Sequence, residues 1–416
     1  MKILNGVVRP YAWGSRTVIA GLQGRSTPSP HPEAELWFGA HPASPARCAD
    51  PGDGTDLLSV IDADPERELG TPTAGAYDGR LPFLLKVLAA EEPLSLQAHP
   101  SAEQAREGFA AENARGLAAD DPRRNYRDSW HKPEIVVAIS EFDALAGFRD
   151  PAPTVALLRS LQVPGLDSYL GMLAGQPDAV GLRAVFTTWL TLPESVINAL
   201  VPEVLAGAVR ALERGSEFAD ELRAVLELGE AYPNDPGVLA ALLLNFVRLQ
   251  PGEAVYLPAG NLHAYLRGVA VEAMANSDNV LRGGLTPKHI DVPELLRVLD
   301  FTPVSRDVLM PPVTAVGAER VYQTPAPEFR LSRIELDGTG LEGPSTIGFD
   351  MPGPQILAVL AGRVEVATAD GSERATVDCG DALWLSDADP DVLVRAASSR
   401  AVLFRARVPL GADEPS

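Results

Sequence analysis

The spacing of apolar and polar positions changes character along the 416-residue chain. Residues 1–100 mix short apolar runs with Gly and Pro punctuation, which predicts a β-rich start. Ser101-Ala-Glu-Gln104 has the form of a capping box and predicts a helix through about Arg115. The polar stretch Gly116 to Arg127 reads as a loop, and Glu134-Ile-Val-Val-Ala-Ile, β-branched and apolar, as a strand. From Pro151 to about Leu249 the period becomes helical. Phe218, Leu222, Val225 and Leu226 fall on one helical face. So do Leu239, Leu242, Leu243, Phe246 and Leu249, in a helix opened by Asp235 as cap and Pro236 in the first turn. Pro202 interrupts an apolar helical stretch and predicts a break into two helices. Strands resume at Gly252. A Pro-rich link, Met310-Pro-Pro-Val, leads to a last β segment from about Val321 to Pro409. Its turn signals at Gly362, Asp370-Gly371 and Gly380-Asp381 have the spacing of a sandwich or barrel.

This pattern predicts a mainly β protein with an α-helical domain. Residues 1–150 together with 250–311 form one discontinuous β unit, 151–249 a helical insertion, and 312–416 a second β unit. Two β halves flanking helices allow a duplicated barrel. The length alone asks for more than one core.

Charge narrows the partners. A formal net charge of -21 gives a surface that repels nucleic acid and anionic membranes. An anionic substrate would be repelled too, unless a local basic pocket overrides the field. Only four lysines occur, Lys2, Lys86, Lys132 and Lys288, and three of them fall inside the motifs below. No run of about 18 apolar residues is present to span a membrane, and the start, MKILNGVVRPYAWGS, has no secretory h-region. Cys48 and Cys379 match no metal or redox spacing, which points to a reducing, cytoplasmic compartment.

Three segments carry the chemistry. In Gln97-Ala-His99-Pro100 a strand would place Gln97 and His99 on one face. His131-Lys132-Pro133-Glu134 puts a carboxylate at the start of a strand. In Gly252-x5-Pro258-x-Gly260-x2-His263 a turn delivers a histidine onto a strand. The last spacing fits the second signature of cupin barrels, with Arg267 where Asn is usual. The first cupin signature normally has two histidines followed closely by glutamate. Here Gln97 replaces the first histidine, and residues 100–133 separate the glutamate. Two imidazoles, a carboxylate and an amide oxygen suit zinc or another first-row dication. We therefore expect Gln97, His99, Glu134 and His263 to be metal ligands. His31, His41, His131 and His289 fit no ligand spacing.

Taken together, the segments resemble the type I phosphomannose isomerases, within the cupin superfamily. The strings that carry the likeness are Tyr11-Ala-Trp13-Gly14-Ser15, Ala34-Glu-Leu-Trp37-Phe-Gly-Ala-His41-Pro and Leu81-Pro-Phe-Leu-Leu-Lys86-Val-Leu. Leu96-Gln97-Ala-His99-Pro100, His131-Lys132-Pro-Glu134 and Tyr256-Leu-Pro-Ala-Gly-Asn-Leu-His263-Ala-Tyr265 come next in order. The last is Ser277-Asp278-Asn279-Val-Leu-Arg282-Gly-Gly-Leu-Thr-Pro287-Lys288. The resemblance implies two cupin barrels, the first metal-binding and the second metal-free, and one zinc ion per chain on the four ligands above. It implies interconversion of mannose 6-phosphate and fructose 6-phosphate, a small-molecule phosphosugar chemistry that feeds GDP-mannose biosynthesis. It marks Arg282 as the catalytic arginine and Lys132 as an active-site residue.

Such an isomerisation passes through an enediol, and charge on its oxygens is the main barrier. A dication and Arg282 would both relieve it. A base must move a proton between C1 and C2, with Lys132, Asp278, Glu272 and Tyr265 as candidates. For the phosphate we expect a clamp of Ser95, Lys86 and Lys288 with Arg282. An oxygen-using iron cupin would favour more histidine ligands, which Gln97 weighs against. A non-catalytic sugar-binding cupin would need lost ligands, and here all are filled. The sequence leaves the oligomeric state open, a monomer included.

Overall fold

The 13-residue strand His263–Ala275 is the spine of the structure, a computed structural model that describes residues 1–49, 54–118, 120–339, 345–349 and 352–409. Its second half pairs with Phe83–Ala90 on one side and Glu134–Ala138 on the other. Its first half pairs with Phe142–Phe148 and touches Leu96–Ala98 through His263 and Gln97. Between the halves the register shifts at Tyr265/Arg267, next to Gly268. Gly268 takes φ +120, and a Cβ there would stand 2.5 Å from the Glu141 carbonyl, so only glycine lets the strand bend against its neighbour. The bend carries one continuous strand through two layers of a ten-stranded sheet system, whose edge runs on through Glu35–Phe38 to Val7–Arg9.

A second sheet of eight strands runs in the order Val313–Val316, Glu319–Tyr322, Arg330–Asp337, Arg400–Arg407, Gln355–Ala361, Asp381–Leu385, Lys2–Asn5, Arg47–Cys48. It faces a four-stranded sheet across a core that includes Ile334, Leu357, Val364, Val394 and Leu403. The three turn signals are all used, with Gly362, Gly371 and Gly380 at positive φ between successive strands. Another apolar cluster joins the two large sheets. Leu36, Phe38, Val87, Ile135 and Val271 meet Phe329, Ile356, Trp384 and Phe404 there. Each such side chain contributes about 1.5–3 kcal/mol on burial, so the β units are packed as one body.

Several expectations need correction. Residues 1–150 do not belong wholly to the first β unit, because Lys2–Asn5 pairs with Asp381–Leu385 and with Arg47–Cys48 in the second sheet. The β-rich start also holds four short helices, Val18–Leu22, Leu57–Ala63, Pro65–Leu69 and Thr71–Ala76. The helix expected from Asp235 to Leu249 stops early. Gly237–Ala241 is helical, and Leu244–Leu249 is a strand paired with Phe142–Phe148. Val247 and Leu249 go inward while Phe246 and Arg248 are only partly covered, a period of two that the leucine-rich run before them masks. Pro202 breaks nothing: Glu194–Glu213 is one helix, with Ile197, Leu200, Val201, Val204 and Ala208 buried in the helical core. The capping box is present in full, Ser101 Oγ accepting from Gln104 N and Gln104 Oε1 from Ser101 N, and the helix runs Ala102–Ala114. The parts of the expected units at 50–53, 119, 340–344, 350–351 and 410–416 lie outside the described residues.

Gly14 closes the loop that carries Tyr11 and Trp13. Its N–H donates to the Tyr11 carbonyl at 3.1 Å, and a Cβ there would run into the backbone of Glu33 and Ala34. Backbone cannot step aside as a side-chain tip does. Gly14→Ala is expected to lower stability by about 2–3 kcal/mol, and thermal unfolding at matched metal content checks this.

Candidate metal centre and active site

Strand pairing brings the three motif segments together. Gln97 sits opposite His263 on one side and Arg282 on the other. Glu134 opens its strand opposite Leu257 and Met274. His99 follows Leu96–Ala98, and its carbonyl accepts the Gly260 N–H at 2.9 Å, so the turn before His263 is docked on His99.

Both imidazoles turn Nδ1 to a backbone carbonyl, His99 to Asn279 at 2.8 Å and His263 to Asn261 at 3.0 Å. A carbonyl only accepts, so Nδ1 carries the proton and a neutral ring leaves Nε2 a bare lone pair. Burial lowers the His99 imidazole to about 4 despite the opposing charge of Glu134. The two Nε2 atoms lie 3.3 and 3.4 Å from Glu134 Oε2. All three atoms are buried without a hydrogen-bond partner. Among the described residues, this is the one group of three His, Cys, Asp or Glu side chains whose ligand atoms converge within 4.8 Å. Two lone pairs and a carboxylate oxygen with no proton among them repel one another unless a cation sits between. The donors fit a first-row dication.

A cavity of about 490 Å³ opens beside this group, with Gln97, Lys132 and Glu134 in its wall. Lys132 Nζ lies 3.1 Å from Glu134 Oε1. Burial works against an ionised Glu134, yet chiefly the Lys132 ammonium holds the carboxyl well below the usual carboxylate range.

Lys86, Glu272 and Tyr265 also line the cavity, but they engage one another. Lys86 Nζ stands 2.5 Å from Glu272 Oε2 and 3.4 Å from Glu35 Oε1. The Tyr265 hydroxyl donates to Glu272 Oε1 at 2.6 Å, and the Trp37 indole to Glu35 Oε2 at 2.7 Å. Burial alone would weaken the Lys86 ammonium, but the charges of Glu272, Glu35 and Glu134 raise its pKa well above lysine's ordinary value. The expected phosphate role for Lys86 therefore meets a geometric obstacle: its charge is already matched by two buried carboxylates.

Arg282, Lys288, Ser95 and Thr286 form another part of the wall. Burial and then the Arg127 charge lower the Arg282 guanidinium. The Arg282 charge, followed by burial and Arg127, lowers Lys288. Clustered cations that depress one another make a local positive field on an acidic protein. Asp278 is not in the wall. Its Oδ1 faces His41 Nε2 at 3.4 Å, and that bond, first among several, holds its carboxyl below the ordinary range.

Glu35, Tyr232 and Thr286 line the cavity although the sequence assigns no role to any of them. Glu35 lies inside one of the family-like strings, one residue before Leu36, and alternation from Trp37 places it on the tryptophan's face. Tyr232 arrives from the helical region, its hydroxyl donating to the Pro93 carbonyl at 2.7 Å, and nothing local announces that.

The comparisons with known proteins agree on one family. Residues 1–151 match the family model for phosphomannose isomerase type I, catalytic domain. The mannose-6-phosphate isomerase of Escherichia coli (strain K12) is 42% identical over 337 residues, 80% of this chain and 83% of that one. The mannose-6-phosphate isomerase of Bos taurus is 33% identical over 429 residues, 97% of each chain. A solved mannose 6-phosphate isomerase bound with zinc and yttrium superposes with a TM-score of 0.87 at 35% identity, covering 99% of this chain and all of that one. With one-third identity over nearly its whole length, the chain belongs to the mannose-6-phosphate isomerase family, the type I phosphomannose isomerases.

Proposed function

We propose that this chain interconverts mannose 6-phosphate and fructose 6-phosphate, with one zinc ion held by Gln97, His99, Glu134 and His263. The observation that carries the reading is the convergence of two bare imidazole nitrogens and a carboxylate oxygen, buried and unpartnered, beside a cavity with a basic wall. We read the two β units as cupin barrels, the second without metal.

When bound, the ion supplies Lewis acidity at the sugar's carbonyl oxygen, worth several kcal/mol in the transition state. Lys132 moves the proton between C2 and C1 through an enediol. It is favoured over the other candidates by what surrounds them. Tyr265 spends its proton on Glu272, Glu272 is occupied by Lys86 and Tyr265, and Asp278 faces His41 away from the cavity wall. Arg282 offers donors to the oxygen on which charge develops, and Lys288 with Ser95 receives the phosphate. Glu35 and Glu272 keep Lys86 charged and fixed in the cavity wall.

The test is an assay of mannose 6-phosphate conversion before chelation, after it, and after zinc is restored. Activity is expected to vanish with the chelator and return with zinc. Absence of turnover in protein of verified zinc content would overturn the isomerase reading.

A further inference from the structure

Pro325 to Phe329, in the second β unit, reaches back onto the segment that presents Lys132, a contact the isomerisation itself does not use. Glu328 is 3% exposed, and its Oε1 lies 2.5 Å from Nε2 of His131. Its Oε2 is buried without a hydrogen-bond partner among the described residues, so His131 is what compensates this carboxylate. The neighbouring Pro327 carbonyl accepts the Tyr77 hydroxyl at 2.9 Å, and the Tyr77 ring packs on Trp130 with centroids 5.8 Å apart. From the other side, the Trp130 carbonyl accepts from Ser277 Oγ at 3.1 Å and Asn279 Nδ2 at 2.8 Å. Residues 130 and 131 are therefore gripped by both β units.

Chain geometry turns this grip into a direction for Lys132. Pro133 restricts Lys132 to extended backbone. His131 is fixed on Glu328 while Lys132, the next residue, meets Glu134 at 3.1 Å in the cavity wall, so the one contact sets where the chain presents the other. A carboxylate buried to this degree is costly to leave unpaired, which holds the anchor in place.

We infer that Glu328 is a positioning residue for the isomerisation: acting through His131, it sets the direction in which Lys132 enters the site. The second β unit thereby takes part in turnover without touching the sugar. This rests on the role given to Lys132 above.

The experiment measures kcat, KM and bound zinc for Glu328→Leu and Glu328→Gln, each alone and combined with Lys132→Met. Misaiming a reacting group by about 1 Å costs up to about 10²-fold. Glu328→Leu is expected to lower kcat about 10- to 100-fold with KM within about twofold and full zinc content. Glu328→Gln, which keeps a hydrogen-bonding oxygen, should recover most of the loss. On the Lys132→Met background, Glu328→Leu should cost nothing further. Wild-type kcat in zinc-loaded Glu328→Leu overturns the inference, as does a loss that multiplies undiminished on that background. If Glu328→Leu does not fold, His131→Asn asks the same question from the less buried partner, with the same two overturning results. Turnover by the wild type in the same assay separates a failure of this pairing from a failure of the isomerase reading.

Discussion

Glu134→Ala protein is expected to lose stoichiometric zinc and at least about 10³-fold in turnover. Glu134 is the one carboxylate of the converging group, and its Oε2 is the atom both imidazoles approach, at 3.3 and 3.4 Å. Without it, two neutral nitrogens remain of the converging group, with no formal charge to balance a dication. Losing several kcal/mol of Lewis-acid stabilisation corresponds to about three powers of ten, at 1.36 kcal/mol each. The substitution also strands Lys132, whose side chain is only 10% exposed and whose ammonium bonds the same carboxylate. Removing one partner of a buried pair costs about 3–5 kcal/mol, so part of any activity loss could reflect unfolding. Glu134→Gln separates the two effects, because it keeps the shape and a hydrogen-bonding oxygen while deleting the charge. Metal content per chain, circular dichroism and turnover measured on both variants decide the matter. Wild-type zinc with wild-type turnover in either would refute the ligand assignment.

Lys132→Met should leave zinc in place and lower kcat by about 10²–10⁴-fold, the range for loss of a positioned acid–base group. Methionine keeps the apolar stem in the wall and removes only the ammonium, so KM should move much less than kcat. Hydrogen exchange gives an independent readout. Wild-type protein incubated with fructose 6-phosphate in heavy water should introduce solvent deuterium at the carbon that is protonated, and the variant should do so more slowly by the same factor as kcat. Full turnover and exchange in Lys132→Met would move the proton-transfer role to Glu272, which lines the same cavity.

The site was legible in the sequence to the extent that its chemistry is local. Gln97 and His99 are two apart on extended chain, Glu134 opens an apolar β-branched run, and His263 follows a Gly-Pro-Gly turn. Each segment announces itself, and strand pairing then brings them together. Other contributions depend on pairings between distant segments that no local period encodes. Glu35 meets Lys86 because their strands are neighbours, and Asp278 meets His41 across 237 positions of sequence. Glu328 lies in Pro-Ala-Pro-Glu, which reads as an ordinary loop. Rarity of lysine does not separate two roles for Lys86: a place for phosphate and a place between two buried carboxylates both favour a compact ammonium, and the carboxylates are there. The strand Leu244–Leu249 was hidden for a different reason. Leu239, Leu242 and Leu243 satisfy a helical period, and the switch to period two falls inside a continuous apolar run.

The placement of Lys2–Asn5 between Arg47–Cys48 and Asp381–Leu385 bears on how the chain is made. Asn5 hydrogen-bonds Asp381 across 376 positions, so this strand waits for a partner made much later in synthesis. Until then, one edge of that first strand lacks its mate, and the apolar cluster shared by the two large sheets stays open. Exposed edges and unfilled cores are the features that recruit chaperones and drive aggregation during synthesis. Elongation at about 5–20 residues per second sets that interval at tens of seconds. The converging group His99, Glu134 and His263 is complete in sequence by residue 263, before Asp381–Leu385 is made. Closure of the strand Lys2–Asn5 is then a late step in folding, since its partner Asp381–Leu385 is made later by 376 positions or more.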